Sequence, residues 1–174
     1  TLTIEPNTTI LFAEYTGLYI EGKLTANEAT FDAVDQNSPW QGIRFEDSSD
    51  DDSNIDNCTI KYATTGIDIS AASPTISNTS ISNCEDYGIR LENSSSYIEN
   101  CEISSVATAI YCENNSTPTI SNATINDCDD FGIRMRNSNG TIEYSEISGG
   151  VTGIDLYNSS PTIIHTDISD CILY

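Results

Sequence analysis

The sequence predicts an all-β chain coiled as a right-handed parallel β-helix, with three short strands in each turn of about 22 residues. Three observations carry that prediction. The chain repeats itself: TISNTSISNCEDYGIRLENSS from Thr75 is matched by TISNATINDCDDFGIRMRNSN from Thr119, with looser copies between and after them. Apolar residues recur in columns at that period, and Asn recurs at two fixed places between the columns.

The first column is Ile55, Ile76, Ile98, Ile120, Ile142 and Ile163, and the second is Ile60, Ile81, Ile103, Ile125, Ile147 and Ile168. The third is a pair two residues apart: Ile67/Ile69, Ile89/Leu91, Ile110/Cys112, Ile133/Met135 and Ile154/Leu156. Polar residues flank each apolar one, so the local period is two, the signature of a strand with one buried face. Strands this short cannot bury that face alone, and stacking them turn on turn gathers every such face into one central column. Residues 55–174 follow the plan regularly. Residues 1–54 follow it irregularly, with Ile4, Ile10/Phe12 and Leu18/Ile20 in one turn and Leu24, Phe31 and Ile43/Phe45 in the next. DAVDQNSPW reads there as an insertion that widens the second turn. The whole 1–174 is thus one domain of seven to eight turns, roughly 35 Å tall at about 4.8 Å per turn.

Asn marks the corners. Asn57, Asn78, Asn100 and Asn122 follow the first column, and Asn93, Asn114, Asn137 and Asn158 follow the third. Asn tolerates the left-handed conformation that tight corners need, and stacked amides can hydrogen-bond along the axis. Two ladders of buried corner amides are expected. A longer period overlies the first: Cys84, Cys128 and Cys171 recur every two turns, as do Cys58 and Cys101. The array therefore grew by copying two turns at a time. The chain begins TLTIEP and ends ISDCILY in mid-repeat, which reads as a piece of a longer chain or an assembling unit. Open solenoid ends would be covered by flanking domains or by self-association.

Composition excludes several function classes. Six Lys plus Arg stand against 27 Asp plus Glu, a formal net charge of −21. Nucleic-acid binding wants a basic surface, and no apolar run is long enough to span a bilayer. The six Cys show no C-x-x-C spacing. Same-column Cys lie two turns apart, about 9.6 Å, beyond the reach of a disulfide. Buried free thiols are expected.

The opening LTIEPNTTILF, GLYIEGKLTA and WQGIRFE, together with the repeat, resembles secreted right-handed parallel β-helix repeat proteins of the pectate-lyase-like superfold, of the surface and envelope type. The resemblance implies an extracellular or cell-surface location, and a role as a non-catalytic structural solenoid of a surface, sheath or filament assembly, stacking end to end. Its enzymatic relatives bind or cleave polysaccharide, so a carbohydrate-binding or polysaccharide-processing module is the alternative.

Hydrolysis on this fold needs a singular pair of carboxylates with a nearby His. The acidic pairs here, Glu85-Asp86 and Asp129-Asp130, recur with the repeat, and the sole His, His165, continues a corner column. No catalytic residue is assigned. Two outward columns carry the remaining chemistry: Asp68, Arg90, Tyr111, Arg134, Asp155, and beside it Ser70, Glu92, Glu113, Arg136, Tyr157. They read either as cross-strand ion pairs or as a binding strip in which Arg90, Tyr111, Arg134, Arg136 and Tyr157 would stack on and hydrogen-bond a saccharide. Asp47, Asp50, Asp51 and Asp52 form an acidic loop that could hold Ca²⁺, without EF-hand spacing; no other cofactor is implied. Asn7, Asn115 and Asn139 head N-x-S/T sequons outside the two ladders and are the candidate glycosylation sites.

Overall fold

The computed structural model describes residues 1–172 and contains only strands and turns there. The last two residues of the regular 55–174 block lie outside the described residues. First-column strands form a sheet of eight, one per turn, running from Leu2–Ile4 through Leu24–Asn27 and Asn54–Asp56 to Thr162–Ile164, every pairing parallel. The predicted registers hold residue for residue: Ile76 lies between Ile55 and Ile98, and Ile81 between Ile60 and Ile103.

The second and third strands of each turn belong to one twelve-stranded sheet. In the middle turns they are not two strands but one, Ser80–Glu92, Glu102–Glu113 and Thr124–Arg136. A single left-handed residue bends each of these strands, Asn83, Ser105 or Asp127, with φ of 51–56°. One residue is too few to interrupt the ladder, so pairing continues through the bend, with a register shift between Cys84 and Tyr87.

Burial follows the pleat. The inward Ile, Leu, Met and Cys positions form one continuous core, most of them with no accessible surface. All six cysteines are free and buried. The sole Trp changes the reading of the second-turn insertion. Its outer residues Val34 to Asn37 are exposed, but Trp40 returns to full burial. Its ring stacks on that of Phe12, with centroids 4.1 Å apart and planes nearly parallel, its Nε1–H donates to the Lys61 carbonyl at 2.8 Å, and its backbone bridges to Ala63. The insertion thus carries a core plug.

The eight ladder asparagines all have φ between 49° and 54°, as corner residues should. Tyr144 and His165 continue the first corner with the same left-handed backbone and stack on each other. The buried amide ladder is a correction. All eight Asn are exposed, and only two links join amide to amide: Asn100 Nδ2 to Asn78 Oδ1, and Asn158 Nδ2 to Asn137 Oδ1, both 3.2 Å. Asn78 and Asn114 donate instead to Asp56 and Glu92. Asn is there for its backbone, because it bears the left-handed region at lower cost than other chiral residues. Small hydroxyl residues next to the corners do the buried bonding: Ser116 Oγ accepts from Ser94 N–H, and Ser145 Oγ from Ala123 N–H.

Gly132 marks one of the close approaches between turns. A Cβ there would sit 2.5 Å from Ile147 Cγ2 and 2.6 Å from the Gly153 carbonyl oxygen. Gly66 and Gly88 are equally confined, whereas Ala109 fills the same place in an arc one residue shorter. Gly132→Ala should cost about 1–3 kcal/mol in urea unfolding. An unchanged midpoint would mean that the arc relaxes freely to the Ala109 geometry.

Candidate functional site: the arginine and aromatic strip

The third strand of each turn points every second side chain outward, so parallel pairing in register stacks those side chains along the axis. The first predicted column is assembled as expected: Arg90 lies between Asp68 and Tyr111, and Tyr111 and Asp155 flank Arg134. It also extends further than expected. Tyr19 pairs with Arg44, and Arg44 with Asp68. All four arginines of the chain therefore lie on this one face. The sequence signal for Arg44 was present, because Gly42-Ile43-Arg44 repeats Gly88-Ile89-Arg90 and Gly132-Ile133-Arg134. The irregular spacing of the first two turns concealed it.

Arg90 is the most engaged. It donates to Asp68 at 2.9 Å, to Glu92 at 3.1 Å and to Glu113, carboxylates from three consecutive turns. Burial opposes its charge, but Asp68 and Glu113 more than compensate and hold its pKa above the ordinary guanidinium value. The Asn114 amide, and behind it Arg90, hold the Glu92 carboxyl below its usual value. Glu113 also accepts from the Tyr111 hydroxyl. Burial and then Glu113 push the Tyr111 phenol upward, and its ring stacks on Tyr87 with centroids 5.3 Å apart.

Arg134 and Arg136 converge on one oxygen of Asp155, at 3.1 and 2.6 Å. The Arg134 guanidinium also covers the Phe131 ring at 4.3 Å, and that of Arg136 lies 5.2 Å from the Tyr157 centroid. The five residues of the predicted binding strip are thus brought together, and each Arg is ion-paired within its own chain. One concavity lies at the N-terminal end of the face, about 100 Å³, lined by Tyr19, Gln41, Arg44, Thr64, Thr65 and Asp68. Sequence reading missed it, because Gln41 and Thr64 sit in irregular segments.

The acidic loop does not converge. Asp50 accepts from Asp52 N–H, Asp51 from Ser73 N–H at 2.7 Å, and Asp52 lies 3.7 Å from Lys23 Nζ. Asp47 is exposed beside them. No set of three acidic, His or Cys side chains gathers as metal ligands among the described residues. Asn7, Asn115 and Asn139 are exposed, but Asn139 Oδ1 accepts from Ser160 N–H at 2.6 Å.

The family described as right handed beta helix region matches residues 16–171 of the chain. Among curated proteins, none matches it.

Proposed function

Because the chain belongs to the right-handed β-helix family, whose fold serves enzymes and non-enzymes alike, we propose that it is a non-catalytic structural solenoid of an extracellular surface, sheath or filament assembly. The observation that supports this reading is the bonding of Arg90. It is committed to carboxylates of three consecutive turns and so fastens the stack along its axis. A catalytic or recognition guanidinium would keep donors free for its ligand. The acidic surface fits an exterior that stays solvated. The test is incubation of the purified chain with polygalacturonate and neutral glycans. No new reducing or unsaturated ends and no binding are expected. Turnover of any of them would sink the structural reading.

One observation favours carbohydrate recognition as the second reading. In the concavity at Arg44, the side chains of Tyr19, Gln41, Thr64 and Thr65 make no hydrogen bond among the described residues. An exposed ring beside free hydroxyls and an amide suits a sugar. Glycan binding that is lost in Tyr19→Ala would replace the first reading by this one.

A further inference from the structure

The chain contains one Asn-Gly step, Asn139-Gly140, and the fold treats it differently from the corner asparagines. At Asn57, Asn93, Asn114, Asn122 and Asn137 the next residue's N–H is donated to an oxygen of a neighbouring turn. The N–H of Gly140 has no such partner among the described residues. Only glycine fits there: its φ is 139°, and a Cβ would lie 2.3 Å from the Pro118 carbonyl oxygen. Asn139 itself is exposed, and its Oδ1 accepts from Ser160 N–H at 2.6 Å. The side-chain carbonyl is thus polarised, while the main-chain nitrogen that follows it is unbonded and carries no side chain to obstruct it.

From these contacts we propose that Asn139 is a site of self-modification, at which the folded chain converts the side-chain amide to an acid through a cyclic imide. The Gly140 nitrogen gives up its proton to solvent and attacks Cγ of Asn139. Negative charge develops on Oδ1 and meets the Ser160 N–H, which acts as an oxyanion donor. The new N–Cγ bond closes the imide ring, the Cγ–Nδ2 bond breaks, and Nδ2 takes up a proton and leaves as ammonia. Water then opens the ring. Opening at Cγ gives aspartate, and opening at the main-chain carbonyl gives isoaspartate, whose backbone runs through Cγ. In sum, water replaces ammonia, and nothing is oxidised or reduced. Aspartate still offers Ser160 N–H an acceptor. Isoaspartate adds a backbone atom beside two bonds that join this turn to its neighbours, Thr141 N–H to the Pro118 carbonyl at 3.0 Å and Thr162 N–H to the Gly140 carbonyl at 2.9 Å. The modification stands apart from the structural and saccharide readings and depends on neither.

The test is peptide mapping by mass spectrometry of the folded chain held at pH 8, beside the same chain in urea. Asn139 should convert in the folded chain at least as fast as in urea, where the Ser160 donor is lost. The five corner asparagines with engaged neighbours should remain amides in the folded chain. Ser160→Ala keeps the backbone N–H and should match the parent rate. Ser160→Pro removes it and should slow conversion about tenfold or more, the worth of one hydrogen bond to a charged oxygen. Thermal melts of both variants verify the fold, and if Ser160→Pro does not fold, the comparison of folded chain with urea decides. Conversion slower in the folded chain than in urea, or a folded Ser160→Pro that converts at the parent rate, would overturn the proposal.

Discussion

Trp40→Ala should lower the unfolding free energy by about 3–5 kcal/mol, the usual cost of deleting a fully buried large aromatic. Three losses combine. The indole leaves a void in a core where Trp40 has no accessible surface. Phe12, half-buried near the start of the chain, loses the ring it stacks on. The Lys61 carbonyl loses the indole N–H that satisfies it. The neighbouring Ala63 is too small to fill the space. In a solenoid each turn is stabilised chiefly by its neighbours, so the damage should concentrate in the first three turns. Hydrogen exchange should show those turns opening while Ile98, Ile120 and Ile142 stay protected. Trp40→Phe retains the stack but not the N–H and should cost less. Unfolding of Trp40→Ala at the parent's urea midpoint would show that the insertion merely covers the core.

The distance between what the sequence discloses and what it conceals has a physical basis. The isoleucine columns were legible because burial on one face imposes period two, and turn-on-turn stacking imposes a second period on the first. Both leave the same residue type at each recurrence. The corner between the second and third strands was not legible. Its residues, Asn83, Ser105, Asp127, Gly149 and Asp170, share only a positive φ, and residues of different chemistry can adopt that. The converse error arose at the asparagine corners. Recurrence there implied stacked amides, whereas the exposed amides answer to backbone conformation and reach whichever partner is nearest. At the candidate site the columns of Arg90 and Arg134 were legible because they lie in the regular repeat. Tyr19, Arg44 and the concavity around them were missed because the first two turns are irregularly spaced, and an offset shifted by one residue would point a side chain to the opposite face.

Stability should fall steeply above about pH 9 because of the buried thiols. Burial pushes Cys84 and Cys101 up to about 11, and Cys112 and Cys128 up to about 12, from an ordinary value of 9.0. Backbone hydrogen bonds oppose the shift at Cys84, Cys101 and Cys128, but Cys112 is shifted by burial alone. In each case the folded chain holds its proton more tightly than the unfolded chain. The stabilisation is therefore fully present below pH 9, where both states are protonated, and is lost as pH rises from 9 through 11 to 12. Within that window each thiol lowers the unfolding free energy by up to about 1.4 kcal/mol per pH unit. Four together exceed the reserve of most domains within two units. Alkaline unfolding monitored by Trp40 fluorescence should thus be cooperative and complete before pH 11. At pH 8 a bulky thiol reagent should find these four sites closed until urea opens them. Cys112→Ala substitutes a residue that cannot ionise: it should lower stability at pH 7 through the cavity it leaves, yet flatten the alkaline slope. A parallel downward displacement of the whole pH profile, with its slope unchanged, would show that ionisation of the Cys112 thiol does not contribute to the alkaline limit.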